Sequence, residues 1–280
     1  MSIVGQTFNM RQDELVVLTA FFLALPLPPL MAKDKPSSAL GTEDRLRQAA
    51  LALREKKWVY SSESESQSDQ VLPELAELLR DMAYGNQMVH VYYHRLGNDP
   101  QELAFYRNQD QVVYQELAND GRHRIRQAEI SMGWQLVEKL LLHATEGKPG
   151  AKTVIPLVAW HYLLSSRITG IADEVLAVTA ASHQQADGME ENHGANFAKD
   201  VFEAPLVLEV TLIYDRLRGQ MEKASFVLGR NENWLVGSSA QNSDQTSIGA
   251  FNLPKRSLLQ TLASLYAPLI SAPGPERSHE

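Results

Sequence analysis

The chain has 280 residues, with 26 basic against 34 acidic side chains and a formal charge of −8. Such a field repels phosphate backbones and argues against bulk nucleic-acid binding. It contains no cysteine, which excludes disulfides, thiolate nucleophiles and thiolate metal sites.

The first feature in chain order is an uncharged run over residues 15–32. A membrane-spanning helix needs roughly 20 apolar residues, and Pro26, Pro28 and Pro29 interrupt this run. We expect a buried helix over Leu15–Leu25 and no membrane insertion, with Asp13 and Glu14 placed to complement the helix dipole. A secretory leader is the competing reading, because Met31 and Ala32 before Lys33 mimic a cleavage site; the segment before the run, however, is not basic. Thr42 is a good N-cap, and Leu46, Ala49, Ala50 and Leu53 follow helical spacing to about Lys57. Trp58–Tyr60 reads as extended, and Ser61–Gln70 as an acidic, low-complexity mobile loop. Pro73 opens a helix carrying Leu75, Leu78, Leu79 and Met82 on one face.

An antiparallel meander follows, with strands predicted over Met88–Arg95, Leu103–Arg107, Gln111–Leu117 and His123–Ala128. Its turns are marked by Gly97-Asn98-Asp99-Pro100, Asn108–Asp110 and Asn119-Asp120-Gly121. A helix over Gly133–Ala144 closes it, and Gly147–Gly150 reads as a linker. Two helices are predicted over Ile155–Leu164 and Ile171–Ala181, then a polar loop over His183–Ala195. Strands return at Leu206–Tyr214, Ala224–Leu228, Asn233–Gly237 and Ser247–Phe251, before a helix over Pro254–Tyr266. The Pro/Ser-rich tail after about residue 268 is expected to be disordered.

The second meander repeats the first. Gln87–Ala144 recurs over Leu206–Tyr266 at an offset of roughly 121–123 residues. Tyr93, Arg95 and Leu96 match Tyr214, Arg216 and Leu217; Phe105 matches Phe226, and Ile125 falls near Ile248. Leu136, Val137, Leu140 and Leu141 match Leu258, Leu259, Leu262 and Ala263. We therefore expect an α+β fold with a pseudo-two-fold repeat, its halves being residues 1–150 and 151–280. Edge-to-edge pairing of the two sheets removes two exposed edges, so one continuous, mostly antiparallel sheet flanked by helices is expected.

The chain has none of the GxGxxG, GxxxxGK[ST], GxSxG or HExxH patterns. His90 and His94 are four apart in an extended run, where four residues span roughly 13 Å, too far to share one ion. His183, Asp187, Glu190, Glu191 and His193 cluster in the polar loop, which reads as solvated rather than metal-bound. No cofactor is implied. Trp58, Trp134, Trp160 and Trp234 read as core or interface anchors. The helix before Trp58-Val59 also has the order of a winged-helix element, which gives a DNA-binding regulator as the alternative function, but an acidic serine loop stands where a basic wing belongs.

Taken in order, DELVVLTAFFLAL, LALREKKWV, PELAELLRDMA, QMVHVYYHR and WQLVEKLLLHA, then LVLEVTLIYDR, KASFVLG, NWLVGS and SLLQTLASL, resemble the EspG-like proteins associated with ESX (type VII) secretion. The resemblance spans residues 12–267. It implies a pseudo-two-fold sheet flanked by helical bundles and a cytosolic, non-enzymatic chaperone. It also implies a helical secretion substrate, such as a PE–PPE heterodimer, as partner. One difference stands: the family's first hairpin carries a long loop, whereas Gly97–Gln101 is short. The two equivalent hairpin turns, Gly97-Asn98-Asp99 and Arg218-Gly219-Gln220, are the candidate partner contacts.

Overall fold

The computed structural model describes residues 6–31, 42–61, 69–147, 150, 152–169, 193–216, 218–237 and 247–271. The described strands build a ten-stranded sheet in which every neighbouring pair is antiparallel. The first half contributes β1 (Phe8–Arg11), β4 (Gln87–Arg95), β5 (Gln101–Asn108), β6 (Gln111–Leu117) and β7 (Arg122–Ala128). Its second half contributes β8 (Lys152–Pro156), β9 (Leu206–Asp215), β10 (Gln220–Leu228), β11 (Asn233–Gly237) and β12 (Ser247–Asn252). A separate hairpin pairs β2 (Val59–Tyr60) with β3 (Gln70–Val71).

The sheet order is β1-β7-β6-β5-β4-β9-β10-β11-β12-β8. Read from either edge, it visits repeat-equivalent strands in the same sequence. The repeat is therefore wider than the residue matches indicate: β1 holds the place in the first half that β8 holds in the second. The halves join through β4 and β9, where His90 stands opposite Thr211. These two residues are also equivalent at the 121-residue offset, so the pseudo-two-fold axis passes between them.

Seven α-helices are described, and a short 3-10 helix at Pro29–Met31. Helix α1 (Gln12–Val16) continues as a π-helix over Val17–Phe22. The Thr19 hydroxyl donates to the Leu15 carbonyl at 2.7 Å, an alternative backbone partner of the kind that disturbs a regular ladder. Leu15, Val17 and Leu18 are buried, but Phe21 is 66% exposed, so the predicted buried helix covers the core with one face only. Helix α2 is Thr42–Glu55 and α3 is Pro73–Tyr84, with proline in its first turn as predicted. They are followed by α4 (Ile130–Leu141), α5 (Leu157–Thr169), α6 (His193–Glu203) and α7 (Lys255–Ser271).

Four expectations change. Ile155 belongs to β8, where Thr153 and Ile155 point inward and Val154 outward, so α5 starts only after Pro156. Residues 193–195, expected as the end of a loop, instead open α6, which has Phe197, Ala198 and Val201 buried on one side. Helix α4 starts three residues before Gly133, because that glycine lets the helix sit tightly on the sheet: a Cβ there would come within 3.1 Å of the Phe105 ring. The last helix runs past Pro268 to Ser271. The loop at 62–68, the helix expected at Ile171–Ala181 and the tail from 272 lie outside the described residues.

The two faces of the sheet are covered differently. On one face, α4 and α7 lie over a continuous core in which Val89, Val91 and Phe105 meet Leu208, Val210 and Phe226. On the other face the core is split. Helices α1, α2 and α3 pack with Met10, Tyr106 and Ile125 in the first half. Helices α5 and α6 pack with Val207, Val227 and Trp234 in the second. All four tryptophans are anchors of this packing: Trp58 on Phe8 at 5.5 Å, Trp134 on Tyr266 at 5.2 Å, and Trp160 and Trp234 on Phe197 at 6.2 and 5.1 Å.

Candidate functional site

Between the two bundles of the divided face lies a groove of about 360 Å³ over the pseudo-two-fold axis. Strand periodicity sets its floor. Val89 and Val91 of β4 point to the continuous core, so Met88, His90 and Tyr92 point to the groove. In β9, Leu208 and Val210 point away and Glu209 and Thr211 point in. Glu102 of β5 and Lys223 of β10 complete the floor, Pro29 and Leu30 stand on the first-half side, and Leu164 of α5 stands on the second.

The floor is polar but internally paired. His90 Nε2 lies 2.7 Å from Glu102 Oε1. In the second half Lys223 Nζ lies 2.9 Å from Glu209 Oε1, and the Ser225 hydroxyl donates to the same oxygen at 3.0 Å. Glu102 and Lys223 are equivalent at the 121-residue offset, so one structural position carries opposite charges in the two halves. Burial, reinforced by Glu209 and Glu102, pushes the Tyr92 hydroxyl up to about 12. It therefore stays neutral and offers a hydrogen bond at the centre of the floor. The result is a surface with apolar sides and a self-satisfied polar floor, suited to receive an apolar projection without leaving a charge unpaired.

A buried arginine braces the second-half side. Arg167 of α5 is 4% exposed, and burial lowers it to about 10, so it remains charged at neutral pH. It donates to the carbonyls of Val201, Phe202 and Ala204 at 2.7, 3.0 and 2.5 Å, satisfying the last carbonyls of α6. Its Nε donates to His94 Nδ1 at 3.2 Å, while His94 Nε2 donates to the Asn98 carbonyl at 2.8 Å. The chain therefore links helix α5, the end of α6 and the first hairpin turn. Burial and the Arg167 charge hold the His94 pKa below its ordinary value.

The predicted contact residues occupy two exposed turns. Gly97, at φ +79°, Asn98 and Asp99 close the β4–β5 hairpin. Arg218 and Gly219, at φ +66°, precede Gln220 of β10, and the Arg218 amide donates to Asp215 at 3.1 Å. Because β4 and β9 are antiparallel neighbours, these turns lie at opposite ends of the central strand pair, roughly 30 Å apart along nine residues. The groove lies between them. His90 and His94 share the groove side of β4 but have separate partners, Glu102 and the Arg167–Asn98 chain. Among the described residues no group of three histidine or acidic side chains is placed to hold a metal ion. The cluster at 183–191 lies outside the described residues, and only the backbone of His193, the first residue of α6, is described.

Residue reasoning missed the groove, although it left a trace. Central strands of a covered sheet are normally apolar on both faces, yet His90, Tyr92, Glu209 and Thr211 form a polar stripe on one face of β4 and β9. That stripe marks a face on which no described helix crosses the middle.

The comparisons bear on this architecture. Over 94% of this chain and 96% of the other, the fold matches the Mycobacterium tuberculosis type VII secretion system chaperone EspG5, with a TM-score of 0.56 and 10% sequence identity. The chain has an EspG-like fold. The EspG5 structure is a complex with the PE25–PPE41 dimer. No family model and no curated protein matches the sequence. The winged-helix reading is not favoured. Helix α2 is followed by the β2–β3 hairpin, but its Arg45 and Arg54 are bound to Asp13 and Asp69 rather than presented as a cationic surface. No described helix is long and apolar enough to cross a membrane.

Proposed function

We propose that this chain is a non-enzymatic cytosolic chaperone or adaptor that holds a helical type VII secretion substrate, of the PE–PPE kind, against the groove of the divided face. The observation that carries this reading is the groove itself: a stretch of central sheet between two helical bundles that no described helix crosses, with apolar sides and, among the described residues, paired charges on its floor. The likeness to EspG5 supports it. Ile168, 46% exposed and one turn beyond Leu164, extends the apolar side along helix α5. A helical tip seated in the groove would bury its apolar end while the turns at Gly97-Asn98-Asp99 and Arg218-Gly219-Gln220 contact its flanks. Residues 1–150 and 151–280 would act as one domain, because the groove needs both halves.

Co-expression with small helical proteins encoded beside this gene, followed by co-purification, tests the reading. We expect one of them to form a stable complex. Leu164→Asp places a charge on the apolar side of the groove and should abolish that complex; because Leu164 also packs against the second-half core, a cooperative melt of the variant is the check that it is folded. Absence of any complex, or equal binding by the variant, would sink it.

A further inference from the structure

No described helix covers the continuous-core face out to its first-half edge. Helix α4 sits over Phe105 of β5, two strands inward from β7. On β7 the side chains of His123 and Ile125 are buried toward the first-half bundle, so Arg122, Arg124 and Arg126 project from the other face. Arg11 of β1 stands opposite Arg122. In a chain of charge −8, four guanidinium groups thus gather on one exposed surface.

Three of them have ion pairs, but long ones. Arg122 is 3.6 Å from Asp120, Arg124 is 3.7 Å from Glu116 and Arg11 is 3.9 Å from Glu14, all beyond good hydrogen-bonding distance. Glu14 is already held by Lys56 at 2.8 Å. Arg126 lies over the Tyr114 ring at 5.0 Å, a contact that uses the face of the guanidinium and none of its N–H donors. The side chains of Arg11, Arg122 and Arg124 are at least half exposed, at 52, 57 and 50%. At the opposite end of the sheet the same face carries Gly249 and Phe251, so the ladder is not a by-product of the internal repeat.

We infer that Arg11, Arg122, Arg124 and Arg126 form a second docking surface, on the opposite face from the groove, for an acidic helix of a protein partner. Spacing selects the partner. Alternate residues on a strand lie roughly 6.7 Å apart, so the three arginines of β7 span about 13 Å. Carboxylates at i, i+4 and i+8 of a helix span about 12 Å on one face, a near match that permits three paired contacts. Glu116 and Asp120 lie among the arginines and the whole chain is acidic, so discrete carboxylates that each meet one guanidinium fit this surface better than a continuous run of phosphates.

The test is an NMR titration of the labelled full chain with a soluble helical peptide bearing glutamates at i, i+4 and i+8. We expect shifts confined to β1, β7 and the arginine side chains, weakening at least tenfold between about 0.05 and 0.3 M salt. They should vanish when the peptide glutamates are replaced by glutamine, and in the triple variant Arg122→Gln, Arg124→Gln, Arg126→Gln. If the triple variant loses its fold, Arg124→Gln and Arg126→Gln taken singly should each weaken the shifts. Leu164→Asp should bind the peptide as the unmodified chain does. No shift at millimolar peptide, or unchanged shifts in the arginine variants, would overturn the inference. So would tighter binding to the same residues by an oligothymidine or by phosphatidylserine vesicles, which would mark a general polyanion surface.

Discussion

The same central strands carry two faces with opposite organisation. One face buries Val89, Val91, Leu208 and Val210 in a core that crosses from one half to the other beneath α4 and α7. On the other, the first-half core around Tyr106 and the second-half core around Trp234 stay apart, and His90, Glu102, Glu209 and Lys223 lie open between them. The difference shows how a duplicated fold separates its tasks. Burial that crosses the pseudo-two-fold axis holds the halves in register. Burial that stops short of it leaves backbone-rigid strands presenting side chains to a partner, without spending the core.

Disturbing the continuous face should have the largest effect. Phe226 is fully buried there, and Phe226→Ala should cost about 3–5 kcal/mol. Denaturant unfolding with hydrogen exchange checks it: protection should fall in β4–β6 as well as β9–β11, whereas a loss confined to the second half would mean that the cores are independent. On the divided face, Arg167→Met removes the donors to Val201, Phe202 and Ala204 and should cost about 1–3 kcal/mol. Its exchange signature should concentrate in α5, α6 and the 96–99 turn; a uniform loss would contradict the division. The smallest effect concerns pH. His94 is held neutral in the folded chain, with Nε2 donating to Asn98 and Nδ1 accepting from Arg167. Its folded pKa is lowered, so the unfolded chain binds the extra proton first, and stability is lost as pH falls below the ordinary value of about 6.5. Melting followed from pH 8 to 5 should show that loss, and His94→Gln should flatten the His94-dependent part of it.

Much of the fold was legible because its signals are local. Gln111–Leu117 and Asn233–Gly237 are strands over the predicted residues, and Pro73 starts its helix as expected. The elements that escaped are those whose identity depends on distant partners. Phe8–Arg11 is too short to show a periodicity and becomes a strand by pairing with β7. Lys152–Pro156 becomes one by pairing with β12. The start of α4 was misplaced because Gly133 reads locally as a boundary, whereas it serves a close approach to Phe105. The site was less legible than the fold. The two hairpin turns were found from their glycines, but the groove between them unites Leu30, His90, Glu102, Leu164, Glu209 and Lys223, which no sequence spacing connects.

By itself, the sequence determined the repeat, the eight strands of its two meanders and the absence of thiol chemistry, because those follow from side-chain type and short-range periodicity. Only the tertiary structure decided that the repeats join through β4 and β9, and therefore that one face closes over a shared core while the other stays open. Alternation along a strand assigns residues to two faces, but which face a helix covers depends on where chain segments far apart in sequence come to pack.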